Sequence, residues 1–265
     1  MHTNFESVSE LNQDQARAMF TSMLDYRDLE AFKEADMYMR RMVGPGSCTI
    51  VDVGVGNGEN AKELARDGHT VIGVDVRDDV QTESSDGSWE FREGSAEKIP
   101  MADASADVVW ANRLVHHLPN PEAFYEEASR VLKPSGKLLV TWPQGSDFRC
   151  SDPGAQLGIR AYLTSGENNV NPASLAEVIS CGTKAGLELV DAAHHGSRHY
   201  GPKPPYQLRD YYNGQSEKLQ EYLSAKEAGD VARFMHDLAS GNAWLEIHLT
   251  TAYFRKAHLR TDSRS

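Results

Sequence analysis

The chain has 265 residues, with 27 Lys+Arg against 39 Asp+Glu and a formal net charge of −12. A composition 40% hydrophobic and 25% charged is that of a folded globule and not of a disordered chain. The acidic balance argues against nucleic-acid binding, which needs Lys and Arg against phosphates, and no apolar run approaches the roughly 18 residues of a membrane helix. Cys48, Cys150 and Cys181 are too widely spaced for a metal knuckle or a disulfide framework. The opening MHTNFESVSELNQDQ lacks the basic and apolar regions of a secretory signal, so the expected location is the cytoplasm.

In chain order, residues 8–42 read as helices: Leu11, Ala16, Met19, Phe20, Met23 and Leu24 recur at helical spacing. Leu29, Phe32, Met37, Met39 and Met42 continue the stripe, and the glycines of GPG at 44–46 end it. The Met-rich face reads as core or lid packing. TIVDVG (49–54), NAKELARDG (60–68) and TVIGVDV (70–76) then make strand, helix and strand, a βαβ unit with a right-handed crossover. WEFREG (89–94) and ADVVWAN (106–112) are two further strands. A helix follows with Asn120 as N-cap and Pro121 at its first position, stopped by KPSG. KLLVTW (137–142) has no polar alternation, as in a strand buried on both faces. Asn171-Pro172 opens a helix over 173–185, Gly186 leads into a sixth strand, LELVDAA (187–193), and residues 244–257 supply the last. Two long polar segments, 143–170 and 196–243, have the character of lids or binding elements. The expected architecture is a single doubly wound, Rossmann-like α/β domain with a mostly parallel sheet of about seven strands. It divides into a helical cap (1–47), a cofactor-binding core (48–195), a helical insertion (196–243) and a last strand with tail (244–265).

The chemistry concentrates in Val51-Asp52-Val53-Gly54-Val55-Gly56-Asn57-Gly58. The spacing is GxGxG, and Glu59 stands where a dinucleotide fingerprint has its third glycine. Carboxylates at 52 and 59 would repel a pyrophosphate but suit a ligand carrying ammonium and sulfonium charges. Asp75, followed by Val76, ends the second strand, where an acid can accept hydrogen bonds from both ribose hydroxyls. The turn at 94–100 brings Ser95, Ala96 and Glu97 to the edge of an adenine ring, and Asn112–His117 (NRLVHH) ends the fourth strand at the switch point.

Together VDVGVGNG (51–58), GVDV (73–76), GSAEKIP (94–100), DVVWANRLVHHLPNP (107–121) and RVLKPSGKLLV (130–140) resemble the seven-stranded, class I S-adenosylmethionine-dependent methyltransferases. The likeness is to the small-molecule group of the ubiquinone and menaquinone C-methyltransferases, and it covers about residues 48–142. The resemblance implies S-adenosyl-L-methionine as cofactor, with its methionine part wrapped by Asp52, Gly54, Gly56, Asn57 and Gly58. It places Asp75 and Val76 at the ribose, Ser95, Ala96 and Glu97 at the adenine, and Asn112 and His116 beside the sulfonium, with Arg113 also among the cofactor-binding residues. The family's usual acid before Ala96 is Ser95 here. The connection before the last strand is also far longer than the family's hairpin, so nothing about substrate carries over from that end.

Methyl transfer is an in-line displacement that rests on alignment, with a proton to be removed from an oxygen or carbon nucleophile. His116 and His117 are the candidate catalytic bases, with packing or a place in the cofactor shell as the alternative. Arg113 either holds a substrate carboxylate or pairs with a surface acid. His194, His195 and His199 lack a ligand partner at metal spacing, so no metal is expected. Tyr200, Tyr206, Tyr211 and Tyr212 read as an acceptor pocket or a half-buried lid. The expected activity is methylation of a small-molecule acceptor, at oxygen before nitrogen or carbon, in biosynthetic or specialised metabolism. A non-transfer reaction such as a cyclisation is the rival, because one fold hosts many chemistries.

Overall fold

The computed structural model describes residues 30–77, 89–143, 149–157, 174–200 and 242–257, together with Lys226, Asp230, Arg233, Phe234 and Asp237. Its elements are α1 (Glu30–Val43), β1 (Thr49–Val53), α2 (Glu59–Arg66), β2 (Thr70–Asp75), β3 (Trp89–Glu93), β4 (Ala106–Asn112) and a 3-10 turn (Val115–His117). They continue with α3 (Pro121–Val131), β5 (Leu132–Pro143), β6 (Arg149–Cys150), α4 (Leu175–Lys184), β7 (Leu187–Tyr200) and β8 (Trp244–Lys256). Among the described residues no helix is long and apolar enough to cross a membrane. The chain forms two compact units, one of Ala35–Pro143, Asn171–His195 and Leu249–Ser265, the other of Met1–Glu34, Gln144–Val170 and Gly196–His248.

The first unit is built on a sheet in the order β3-β2-β1-β4-β5-β8, with β7 also pairing with β8. Strands β3 to β5 along this order are parallel, and β8 runs antiparallel to β5. The chain moves outward from β1 to β3, then returns to β4 on the other side of β1. The switch point therefore lies between β1 and β4, where the carboxyl ends of an open sheet diverge to leave a crevice. With β6, the sheet has eight strands among the described residues, against about seven expected.

Side chains alternate between the two faces, which is why the strands are apolar throughout. Val51, Val53, Val109, Ala111, Leu138 and Val140 pack with Phe124, Tyr125, Ala128 and Val131 of α3 and Val178 of α4. Ile50, Val71, Val108, Trp110 and Leu139 pack with Tyr38, Met39 and Val43 of α1 and with Ala61, Leu64 and Ala65 of α2. Met39 is thus core, and its sulfur accepts from Thr141 Oγ1 at 2.6 Å, whereas Met37 is 60% exposed. Met19 and Met23 lie outside the described residues.

Three boundaries differ from the sequence reading. KPSG does stop α3, but β5 already begins at Leu132, which pairs with Ala106. The register shift before Val108 pairs with Lys137 absorbs the extra residues, and Ser135 takes φ 63°. Ser174 caps α4, in a capping box with Glu177; Asn171 and Pro172 lie outside the described residues. β7 continues past Ala193 to Tyr200, so His194, His195 and His199 sit in a strand. Buried His195 bonds Thr251 Oγ1 through Nε2 at 3.0 Å and meets the Tyr38 ring edge-on, a packing role.

Asn120 caps α3 as expected, its side chain accepting from the Ala123 N–H. At the other end of α3, Arg130 gathers the segment after β3. Its Nη1 donates to the Met101 carbonyl at 2.9 Å and to Asp103, its Nη2 donates to the Ile99 carbonyl at 2.9 Å, and both Nε and Nη2 bond Glu127 at 2.7 Å. Two carbonyls left without this donor cost more than the lost attraction alone. Arg130→Ala should therefore lower unfolding stability by about 2–3 kcal/mol in urea titrations, with little rescue by Lys, whose ammonium lacks the planar fork.

In the second unit, β6 pairs with residues 245–246 of β8. Asp152 accepts from the Gly154 and Ala155 N–H groups and from Arg233. Arg198 bonds Glu246 and lies over the Trp244 ring at 4.1 Å, while His248 Nε2 is 2.8 Å from Glu246 Oε1.

Candidate functional site

The β1–α2 connection is a bend of three left-handed glycines: Gly54, Gly56 and Gly58 have φ 73°, 59° and 76°. An L side chain is strained in this region, so glycine alternates with ordinary residues. Each glycine also has its own surroundings. A Cβ at Gly54 would stand 2.8 Å from Leu114 Cδ1, and one at Gly58 would stand 2.9 Å from the Trp89 ring. At Gly56 it would meet nothing nearer than Arg77 Nη2 at 3.8 Å, so the middle of the bend is open. The bend is tied to β2: the Gly54 and Val55 N–H groups donate to the Val74 carbonyl, and the Gly56 N–H donates to Asp75 Oδ2 at 3.0 Å. Exposed Asn57 closes a local turn, its side-chain oxygen accepting from the Glu59 N–H at 3.4 Å.

Strand alternation puts Asp52, Asp75 and Asn112 on one face of the sheet, at the carboxyl ends of neighbouring strands β1, β2 and β4. It is the face that Ile50, Val71 and Trp110 share with α1 and α2. Helix α1 adds Asp36, whose Oδ1 accepts from Asn112 Nδ2 at 2.9 Å. Asp52 is 1% exposed, and its Oδ2 has no hydrogen-bond partner. Burial, reinforced by the Asp75 charge, pushes its pKa up to about 8 against the opposing pull of Arg113. Burial likewise raises Asp36 above the usual carboxylate range, with Arg113 and the Asn112 hydrogen bond acting against it. Asp75 is more accessible than Asp52. Its Oδ1 accepts from the Arg77 N–H at 3.1 Å, and Val76 beside it is 67% exposed.

The turn after β3 is fixed to the same edge by the Gly94 N–H, which donates to the Asp75 carbonyl. Ser95 Oγ accepts from the Glu97 N–H, Glu97 Oε1 accepts from the Asn120 N–H, and Ala96 is buried in the core. At the end of β4, Arg113 adopts φ 58° and donates its N–H to the Thr141 carbonyl at 2.8 Å. That kink turns the chain into the 3-10 segment carrying both histidines. His116 is buried with Nδ1 unpartnered, and burial followed by repulsion from His117 and Arg113 lowers its pKa to about 3. His117 is exposed overall, but its ring lies 3.9 Å from that of His116, and the water lost there lowers its pKa also.

Bend, Asp75, Val76, the 94–97 turn, Asn112, Arg113 and the two histidines thus belong to the carboxyl-end region of the first unit. Tyr206, Tyr211 and Tyr212 lie outside the described residues. Sequence reasoning missed Asp36, although a signal was present: with Phe32, Met39 and Val43 it makes an i, i+4, i+7, i+11 row, a carboxylate inside an apolar stripe. It also missed Leu114 and Trp89, whose contacts with the glycines arise only in three dimensions.

The residues fit a nucleoside that carries a cation. The bend is open where Gly56 lacks a side chain, Asp52 presents a buried oxygen without a donor, and a carboxylate has about four lone-pair positions, so Asp75 can still accept from hydroxyls.

Residues 51–140 match the family described as methyltransferase domain. The chain is 26% identical to 27-O-demethylrifamycin SV methyltransferase of Amycolatopsis mediterranei over 70% of each chain. It is 30% identical to a probable S-adenosylmethionine-dependent methyltransferase of Mycolicibacterium smegmatis, over 56% of this chain and 60% of that one. It thus spans 60% of the second relative's length. Among solved structures, the [4+2]-cyclase SpnF shares the fold with a TM-score of 0.55 at 19% identity, over 84% of this chain and 80% of that one. On these matches and the glycine bend of β1, residues 51–140 form a methyltransferase domain with a Rossmann-like fold, in a chain similar to S-adenosylmethionine-dependent methyltransferases.

Proposed function

We propose that the chain transfers the methyl group of S-adenosylmethionine to a small-molecule acceptor, at an oxygen before nitrogen or carbon. The observation that carries this reading is the φ-positive bend tied through the Gly56 N–H to Asp75, with buried Asp52 beneath it. Oxygen is preferred because the relative aligned over 70% of both chains is named for an O-demethylated compound. When bound, the cofactor supplies a methyl group already activated on a sulfonium.

The chain's own residues then have to bind, orient and handle one proton. Gly54, Gly56, Asn57 and Gly58 with Asp52 would hold the amino-acid part. Asp75 and Val76 would hold the ribose, and Ser95, Ala96 and Glu97 the base. Asn112, with its amide nitrogen bonded to Asp36, keeps its oxygen as an acceptor for positive charge, His116 would stand beside it, and Arg113 would serve the carboxylate of the ligand. An imidazole with a pKa near 3 has little drive to take a proton, so His116 serves as a neutral packing partner. The role of base falls to His117, which is more accessible to an acceptor hydroxyl. His117→Ala should lower kcat by about a hundredfold or more while leaving cofactor affinity within about twofold; an unchanged kcat removes this assignment.

The experiment for the function as a whole is incubation with methyl-labelled S-adenosylmethionine and a panel of phenols, enols and polyketide-like alcohols. The expected result is labelled product and S-adenosylhomocysteine in equal amounts. Conversion of an acceptor without S-adenosylhomocysteine would point to the rival reading, a cyclisation or other non-transfer reaction, since a cyclase shares the fold.

A further inference from the structure

We propose that Asp52, backed by Asp36, is a proton-exchanging counter-charge: it carries a proton in the ligand-free protein and gives it up when a cationic cofactor binds. This rests on S-adenosylmethionine being the cofactor. The geometry behind it is the packing of three acids on one face of the sheet, from β1 (Asp52), β2 (Asp75) and α1 (Asp36). One of them is buried with an unpartnered oxygen. The charged groups acting on Asp52 are Asp75, Arg113 from the end of β4, and Asp36. Asp36 in turn feels Arg113, Arg40 of α1 and Glu63 of α2, and Asp75 is shared with Arg77. A buried acid next to two others, with Arg113 as the opposing charge, stays neutral until a further positive charge arrives. The pKa near 8 agrees with this state at neutral pH.

The proton balance is closed. Binding of the donor, which carries one net positive charge, converts the Asp52 carboxylic acid to carboxylate and sends the proton to solvent. Once the methyl group has left, the sulfur is an uncharged thioether, and the carboxylate takes a proton back from solvent. After transfer the site faces the ammonium alone where the donor brought ammonium and sulfonium together, which weakens its hold on the product. Buried Asp52 and half-buried Asp36 also select for a cation over an uncharged analogue of the same shape.

Isothermal titration calorimetry in phosphate and in Tris, over pH 6–9, reads this exchange from the buffer dependence of the heat. Probes are S-adenosylmethionine, S-adenosylhomocysteine and sinefungin, in which an amine-bearing carbon replaces the methylated sulfur. The expected result is release of most of one proton at pH 7 with the two cationic ligands and less than half as much with S-adenosylhomocysteine. Affinity for the cations should rise by up to about tenfold per pH unit below pH 8 and flatten above it. Asp52→Asn should abolish both the release and the slope. Asp36→Asn should move the midpoint to lower pH without abolishing it, and thermal melts confirm folding of each variant. Equal release for all three ligands, or a slope retained in Asp52→Asn, overturns the proposal. Binding without proton exchange overturns it alone, whereas no binding of any ligand overturns the cofactor assignment as well.

Discussion

Alanine at Gly56 is expected to leave the protein folded and to weaken S-adenosylmethionine binding by about a hundredfold, some 2.7 kcal/mol. The added methyl meets no protein atom within 3.8 Å, so the cost to folding is confined to holding φ 59° with a Cβ, about 1–2 kcal/mol. The cost to binding is larger because the methyl occupies the open middle of the bend, and any relaxation of φ swings the N–H away from Asp75 Oδ2. Gly54→Ala is the contrasting case. There the Cβ lies 2.8 Å from Leu114 Cδ1 at φ 73°, so stability itself should drop, by about 2–4 kcal/mol. Urea titration and calorimetry on the two variants separate the effects. Gly56→Ala binding like the parent protein would show that the bend does not hold the ligand.

The second large effect concerns stability. An aspartate in an unfolded chain titrates near 3.9, and Asp52 in the folded protein near 8. Between these values the folded state keeps a proton that the unfolded state has given up. The contribution of Asp52 is therefore fully present below pH 4 and is lost as pH rises through 8. Asparagine has the same shape and cannot ionise. Asp52→Asn should accordingly stabilise the ligand-free protein by up to about 5 kcal/mol at pH 8 and by close to nothing at pH 4. Denaturant titrations at a series of pH values check this, and parallel curves for the two proteins would mean that Asp52 is ionised in the native state. A substitution that strengthens the fold while removing a ligand contact is the usual sign of a site built at the expense of stability.

Much of this was legible in the primary structure because the physical signals were local. The strands of the parallel sheet are short β-branched runs, and Asn120-Pro121 marks a helix start by cap and fixed φ. The glycine bend announces itself through residues that only a left-handed backbone demands. What sequence spacing cannot show is which strands are neighbours. The grouping of Asp36, Asp52, Asp75 and Asn112 depends on the order β2-β1-β4 and on α1 covering that face. The start of β5 was misplaced for a related reason. KPSG carries turn signals, yet Leu132 finds a partner in Ala106 and draws the segment into the ladder. His116 and His117 looked equivalent as adjacent imidazoles, and only the burial of the first separates them.

The antiparallel course of β8 has a practical outcome for biophysical work. Because Arg255 pairs with Lys137 and Lys256 donates to the Leu132 carbonyl, the last turns of this strand lie at the amino-terminal border of β5. The crevice opens at the opposite border, at the carboxyl ends of β1, β2 and β4. A fluorophore or surface tether coupled through Arg255→Cys, at an exposed position, would therefore report on or immobilise the protein without standing in the crevice.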